Sequence, residues 1–366
     1  MQVFEAGHEQ VVIREDAATG LRAIIALHST VLGPAAGGCR HWVYPDAASA
    51  LDDALRLSRG MTFKNALADI PFGGGKSVIL GARSGARSGA GGRAPLTEPQ
   101  LETFGTWIEA LNGRYLTAED VGISVDDMRV VARTTRYVSG LGTSGLGGDP
   151  SPRTAEGVFN GIRAAVRTRL GTDDLAGVRV AVQGLGNVGW NLAERLREHG
   201  AELWVADIAE DRVQRAESEL GARALAVDEV LRAEVDVVAP CALGGALTGD
   251  TVAALRASIV AGAANNQLAS DDVGELLSER GVLYAPDYVI NAGGVISIAA
   301  EYLRLSDPAW VDSRIAGIAE RLEAIFRRAA ASGEPTSRIA DAMAGERLER
   351  ARPGYPGPST AALSGQ

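Results

Sequence analysis

Hydrophobic positions along this chain fall into short runs, and the spacing between runs changes near residue 141. Before that point, residues 10–14 (QVVIR) and 21–27 (LRAIIAL) carry β-branched runs on either side of a turn at Asp16–Gly20, which predicts two strands. Ala47, Leu51, Ala54, Leu55 and Ser58 then recur at helical spacing. Residues 61–80 return to short strand-like pieces, 101–111 form an amphipathic helix, and Tyr115–Leu116 begins another strand. Beyond residue 141, apolar runs alternate with helical stretches: 178–183 (VRVAVQ), 202–207 (ELWVAD), 235–240 (VDVVAP), 258–264 (SIVAGAA) and 281–286 (GVLYAP). Strands alternating with helices predict a parallel sheet of βαβ units. Most of these runs end in loops rich in Gly, Pro, Asn or Asp, and ligands of open α/β sheets bind at the carboxyl ends of strands. A long helical stretch follows from about residue 309.

A chain of 366 residues exceeds what one core serves, so two α/β domains are expected. Residues 81–95, a Gly/Ala/Ser/Arg segment, read as a mobile surface loop, and residues 351–366 as a disordered tail. The net charge of −10 argues against a nucleic-acid partner. No apolar run reaches the roughly 20 residues of a membrane span, and the first residues lack the basic and apolar regions of a signal peptide. The reading is therefore cytoplasmic, with no membrane association. Cys39 and Cys241 are isolated, and His8, His28, His41 and His199 lack metal-ligand spacing, so no metal is expected.

GLGNVG places Gly184, Gly186 and Gly189 in a GxGxxG arrangement, with Asn187 and Val188 between the last two. The motif follows a predicted strand and opens a helix with Val188, Leu192 and Leu196 on one face. The next strand ends in Asp207, about 20 residues on, where an acid can accept a hydrogen bond from an adenosine ribose hydroxyl. The glycines allow a tight turn and the approach of a pyrophosphate, which a helix N-terminus stabilises. Asp207 disfavours a 2′-phosphate by like-charge repulsion. This half is predicted to bind NAD in preference to NADP, with Arg212 nearby as the contrary feature.

The other half carries lysines where surface lysines are not expected. Lys64 and Lys76 stand twelve positions apart in MTFKNALADIPFGGGKS, the second directly after Gly73, Gly74 and Gly75. A lysine in a partly dry cleft can lose its proton near neutral pH; two solvated lysines flanking a turn is the competing reading. GPAAGGCR (33–40), built mostly of Gly, Ala and Pro, is either a turn or a ligand loop. Asp120 in TAEDVG is either a helix cap or a site acid. ANNQ (264–267) and YVINAGGV (288–295) follow strands of the nucleotide half, where ligand contact is favoured.

In order along nearly the whole chain, GPAAGG, GMTFKNA, PFGGGKS, TAEDVG, GLGNVG, APCALGG, GAANNQ and APDYVINAGG resemble the Glu/Leu/Phe/Val amino-acid dehydrogenase family, and leucine and valine dehydrogenases in particular. The resemblance implies a substrate and catalytic domain over 1–140, completed by the helical segment 309–350. It implies a Rossmann-type doubly wound NAD domain over 141–308, with a cleft between the two. Lys64 would hold the substrate α-carboxylate together with Gly37. Lys76 would be the catalytic base and Asp120 its partner acid. Asn266 would hold the substrate's α-groups; Thr154 would lie near the nicotinamide amide, Cys241 and Ala242 along the cofactor ribose, and Asn291 would also contact the cofactor. The implied reaction is transfer of hydride from Cα of an L-amino acid to NAD, followed by hydration of the iminium and loss of ammonium. Relatives of this family assemble as homo-oligomers. The 81–95 loop is longer than the family's pattern and is expected to lie away from the site.

Ala36, Ala118 and Val295 bear on the substrate side chain. Glutamate-specific relatives have a lysine at the position of Ala36, able to pair with a side-chain carboxylate; alanine leaves that charge without a partner. Ala118 and Val295 resemble the aliphatic-specific members. A branched-chain substrate is expected, with phenylalanine as the alternative because the small Ala36 leaves room for a larger group; a non-catalytic NAD-binding protein is the other alternative, against which Lys64, Lys76 and Asp120 speak.

Overall fold

The computed structural model describes residues 6–82, 94–142, 149–242 and 244–353. The described residues form two compact units, one running to Leu141 and resuming at Met343, the other spanning Gly142–Ala342. Most of the loop expected at 81–95, and the tail from 354 on, lie outside the described residues.

The first unit contains β1 (Gln10–Glu15), β2 (Arg22–Ser29), β3 (Ala35–Ala36), β4 (Cys39–Trp42), α1 (Ala47–Leu67), β5 (Gly73–Leu80), α2 (Glu98–Glu109), β6 (Tyr115–Leu116) and α3 (Val125–Val131). Its mixed sheet has the order β1-β2-β5-β3-β6, and β4 also pairs with β5. β2 runs antiparallel to β1 and β5, whereas β3 and β4 run parallel to β5. Alternate residues of a strand face opposite sides, and here both sides are covered. Ile24, Ala26 and Val78 pack with Ala50, Ala54 and Leu55 of α1. Ile25, Leu27 and Ile79 pack with Leu101, Phe104 and Ile108 of α2 and with Met128 and Val131 of α3.

α1 corrects the expectation of strand-like pieces from residue 61. The helix runs unbroken for 21 residues, and Ala50, Ala54, Ser58, Thr62 and Ala66 are all buried at four-residue spacing. The polar members of that stripe are bonded internally: Ser58 Oγ donates to Leu55 O at 2.9 Å, and Thr62 Oγ1 donates to Ser58 O at 3.3 Å. A stripe of small residues reads weakly as hydrophobic periodicity, which hides the helix from pattern analysis. It lets the helix axis approach β5 so closely that a Cβ on Gly74 would lie 2.0 Å from the Thr62 amide nitrogen.

The second unit contains α4 (Ser151–Leu170), β7 (Arg179–Gln183), α5 (Asn187–Glu198), β8 (Glu202–Ala206), α6 (Glu210–Leu220), β9 (Arg223–Ala224), β10 (Val237–Pro240), α7 (Gly249–Ala254), β11 (Ile259–Val260), α8 (Asp271–Glu279), β12 (Leu283–Tyr284), α9 (Asp287–Ile290), α10 (Gly293–Tyr302) and α11 (Pro308–Ser332). α12 (Thr336–Ala351) passes from this unit back to the first. The sheet is wholly parallel, in the order β12-β11-β10-β7-β8-β9. The five apolar runs read from the sequence are β7, β8, β10, β11 and β12. β9 was not among them, since both of its residues are exposed at the sheet edge. Strand order reverses between β7 and β10, the switch point at which such sheets bind ligands.

The long helix after residue 309 lies elsewhere than expected. α11 belongs to the second unit, where Ile315, Ile318, Leu322, Ile325 and Phe326 are buried. Gly157 and Gly161 of α4 make room for it: a Cβ at either would lie 2.8 Å from Ile318 Cδ1 or Leu322 Cδ1. The chain rejoins the first unit only at Met343.

Candidate active site

In the first unit the small residues of β3 and the glycines of β5 bring several backbones unusually close. Ala36 pairs in register with Gly74, and Ala35 with Gly73. A Cβ on Gly37 would lie 1.8 Å from the Gly75 carbonyl oxygen. The Tyr115 hydroxyl donates to Gly37 O at 2.7 Å and shares a 2.9 Å hydrogen bond with Ser77 Oγ. Asn65, next to Lys64 on α1, donates to Gly73 O at 2.6 Å. Ala118 is buried beyond β6, and its carbonyl accepts from the Cys39 amide at 2.8 Å. GPAAGGCR therefore forms β3 and the start of β4, each paired with β5, rather than a free loop.

Lys76 points from β5 into this environment with only 5% of its surface exposed. Its Nζ lies 2.8 Å from Asp120 Oδ2, and Arg40 Nε donates to the same oxygen at 3.1 Å. Asp120 does not cap a helix; Ser124 caps α3, accepting from the Asp127 amide at 3.2 Å. Burial lowers the proton affinity of Lys76, and the Arg40 charge adds to this while Asp120 opposes it. Burial pushes Asp120 upward, but the Lys76 ammonium and the Arg40 guanidinium outweigh it and hold the carboxyl below its usual range. Beside them the buried Cys39 thiol is pushed up to about 12, so it stays protonated and inert. The arrangement is a buried lysine–carboxylate pair with a second cation, which can exchange a proton. Lys64 lies half-buried on the last turn of α1.

In the second unit Gly184, Gly186 and Gly189, Asp207, and Cys241 with Ala242 follow the carboxyl ends of β7, β8 and β10 respectively, whereas Thr154 lies on α4 and Asn291 at the end of α9. Gly184 has a φ of +96°, and a Cβ there would lie 2.9 Å from Ala242 Cβ. A Cβ on Gly189 would lie 1.9 Å from Gly184 O and 3.3 Å from Cys241 Cβ. At Gly186, by contrast, a Cβ would meet nothing within 4 Å. Two of the glycines thus serve the turn and the strand–helix packing, while the middle one borders open space. Asn187 begins α5 with Gly186 at its cap, so free helix amides face that space. Val188 is half-buried, and Gly189, Leu192, Ala193 and Leu196 form the buried face in its place.

Asp207 has a second task that its spacing did not suggest. Its Oδ2 accepts from the Leu185 amide at 2.6 Å and its Oδ1 from the Ala209 amide at 2.8 Å, so it ties the glycine turn to β8. Asn291 donates to Ala263 O at 3.0 Å and to Asn265 Oδ1 at 2.8 Å. Its own Oδ1, like Gln183 Oε1 at the end of β7, is buried without a hydrogen-bond partner among the described residues. Orphaned acceptors of this kind are costly unless a ligand supplies a donor. The open glycine turn and these acceptors fit a dinucleotide with a carboxamide.

Models of the family match both units. "Glu/Leu/Phe/Val dehydrogenase, dimerisation domain" covers residues 8–137, and "Glutamate/Leucine/Phenylalanine/Valine dehydrogenase" covers 149–209 and 204–344. The chain is 46% identical to leucine dehydrogenase of Bacillus subtilis (strain 168) over 346 residues, 94% of this chain and 92% of that one. It is 46% identical to valine dehydrogenase of Streptomyces virginiae over 352 residues, 95% and 96% of the two chains. The crystal structure of L-tryptophan dehydrogenase from Nostoc punctiforme superposes with a TM-score of 0.83 at 42% identity, covering 96% of this chain and 98% of that one.

The chain belongs to the Glu/Leu/Phe/Val dehydrogenase family.

Within this dehydrogenase the remaining predicted residues fall as follows. Thr154 lies on the first turn of α4, its hydroxyl donating to Pro150 O at 2.9 Å, and a Cβ on Gly294 would lie 2.9 Å from that hydroxyl oxygen. Val295, half-buried, follows on α10. Asn266 takes a left-handed φ of 51° and is exposed, and its carbonyl accepts from the Gly245 amide at 2.7 Å. Three residues that sequence reasoning did not select stand out. Asn265, not Asn266, is the partner of Asn291, and Gln183 carries an orphaned acceptor. Arg40 joins Asp120; the signal for it was a lone cation closing a run of small residues. Among the described residues no group of three or more His, Cys, Asp or Glu could hold a metal, and no helix is long and apolar enough to cross a membrane.

Proposed function

We propose that this chain catalyses the reversible NAD-dependent oxidative deamination of a branched-chain L-amino acid (leucine, valine or isoleucine) to the 2-oxo acid and ammonium. The observation that carries this reading is the buried Lys76–Asp120 pair at 2.8 Å, in a sequence whose only lysines are Lys64 and Lys76. The first unit is then the substrate and catalytic domain and the second the NAD domain. Bound NAD supplies the hydride acceptor. Lys64 neutralises the α-carboxylate and, with Gly37 and Asn266, orients Cα. Lys76, as the free amine, takes a proton from the water that attacks the iminium carbon, and Asp120, a carboxylate, relays that proton from the Lys76 ammonium to the departing amine. Thr154 and Asn291 position the nicotinamide amide, and Cys241 and Ala242 line the ribose. Ala36, Ala118 and Val295 offer only carbon to the substrate side chain, so a glutamate carboxylate would be left unpaired. The family model's name for residues 8–137 supports a homo-oligomer, and we place the enzyme in the cytoplasm.

A panel of L-amino acids with NAD, followed by NADH absorbance at alkaline pH, tests this. Leucine, valine or isoleucine should give the highest kcat/KM, with glutamate lower by about a hundredfold or more. Best activity with phenylalanine or tryptophan would move the assignment to the aromatic members, a reading that the likeness to an L-tryptophan dehydrogenase favours. Absence of NADH with every amino acid would end the catalytic reading.

Asp207→Ser should raise the Kd for NAD about tenfold, since it removes a carboxylate from the ribose and loosens the turn held at Leu185. The preference over NADP should fall in parallel. Unchanged ratios of the two Kd values in calorimetric titrations would show that Asp207 serves the turn alone.

A further inference from the structure

The first unit places a second, permanent cation on Asp120 that the proton transfers above do not use. We propose that Arg40 is a positioning residue of this reaction: it is the standing counter-ion of Asp120, and so frees Lys76 to act as a neutral base. This rests on the assignment of Lys76 as the base.

The geometry is specific. Arg40 Nε and Lys76 Nζ meet the same oxygen of Asp120, at 3.1 and 2.8 Å. Both cations lie on Oδ2, so Oδ1 is assigned to the departing amine. Arg40 itself is anchored from behind: its Nη1 donates to Asp53 Oδ2 at 3.0 Å. That oxygen also accepts from the Tyr44 hydroxyl at 2.7 Å, and Arg56 holds Asp53 Oδ1 at 2.7 Å. One guanidinium thus bridges two carboxylates from two nitrogens, which a lysine's single ammonium does not reproduce.

The electrostatic consequence follows from charge counting. A buried lysine paired only with a carboxylate is held in its protonated form, because losing the proton strands the anion. With Arg40 present, Asp120 stays paired whether or not Lys76 is charged, and the like charge of Arg40 favours loss of the Lys76 proton. Arginine keeps its proton at every accessible pH, so this bias is constant. The other groups facing Lys76 do not cancel it. Cys39 from β4 and Tyr115 from β6 are held neutral by burial, and the charge of Asp53 on α1 is shared between Arg40 and Arg56.

The rarity of lysine makes the test direct. Protein labelled with 13C-lysine has two side-chain resonances, assigned with Lys64→Arg, so the Lys76 midpoint is read without reference to turnover. In Arg40→Gln that midpoint should rise by about one pH unit, and the acid limb of kcat/KM should rise with it. Arg40→Lys, which restores the charge but not the bridge and adds one identifiable resonance, should recover part of the shift. Arg40→Met, which keeps the aliphatic stem, repeats the measurement if the glutamine variant does not fold. A Lys76 midpoint within about 0.3 units of wild type in the folded variants, with activity lost equally at all pH values, overturns the proposal. A midpoint that moves while the kinetic limb stays fixed leaves the role of Arg40 standing and removes Lys76 as the base.

Discussion

Lys76→Ala should lower kcat for oxidative deamination about a thousandfold, within the usual range for loss of a positioned general base, while the Kd for NAD stays within about twofold. The two effects separate because Lys76 lies on β5 in the first unit, whereas the glycine turn, Asp207 and Asn291 belong to the second. The pH dependence gives an independent sign. Lys76 works unprotonated, so activity rises as pH climbs through its midpoint. Burial and Arg40 lower that midpoint, so the rise comes below the ordinary lysine value of 10.5. The rise should vanish in the residual activity of the alanine variant. NADH absorbance across pH, with NAD binding by calorimetry, checks both parts. Retention of most turnover would show that the water is deprotonated elsewhere.

A large loss of stability is expected at Gly74. Its alanine variant should lose about 3 kcal/mol, the upper end for overpacking a well-filled interior, because the new methyl would lie 2.0 Å from the Thr62 amide nitrogen and 2.2 Å from its hydroxyl. Both neighbours belong to a helix whose small-residue stripe already sits against β5, so relief requires moving the backbone of α1. The same displacement would shift Lys64, two residues further on. Urea unfolding followed by circular dichroism should show an earlier transition, and the fraction still folded should bind its amino acid more weakly. An unchanged midpoint would mean that α1 rides higher on the sheet than the distances imply.

Much of this molecule was legible in its sequence, and unevenly so. In the second unit the strands are continuous apolar runs because a parallel sheet buries both faces, and the turns between them are spelled in Gly, Pro, Asn and Asp. The glycine fingerprint, Asp207 and the loops after β10 and β11 could be placed from spacing alone. The first unit was harder to read. Ala50, Ala54, Ser58, Thr62 and Ala66 pack as a helix stripe although two are polar, so the full length of α1 does not show as periodicity. α11 has a clear helical pattern, but an apolar face does not say which core it joins; Gly157 and Gly161 on α4 decide that by leaving room for Ile318 and Leu322.

Local features, then, were legible in the order of residues: a nucleotide turn, a family of motifs, and a lysine, Lys76, set directly after three glycines. Spacing along the chain carries such information because turns, helix starts and strand alternation depend on neighbours a few residues apart. The electrostatic partners of that lysine were decided by tertiary structure alone. Arg40 and Asp120 lie 80 residues apart and meet only because β4 runs beside β5 while the chain after β6, which pairs with β3, bonds back to β4 at Cys39 and His41. Sheet register, which no local pattern encodes, is what brings two cations onto one carboxylate oxygen.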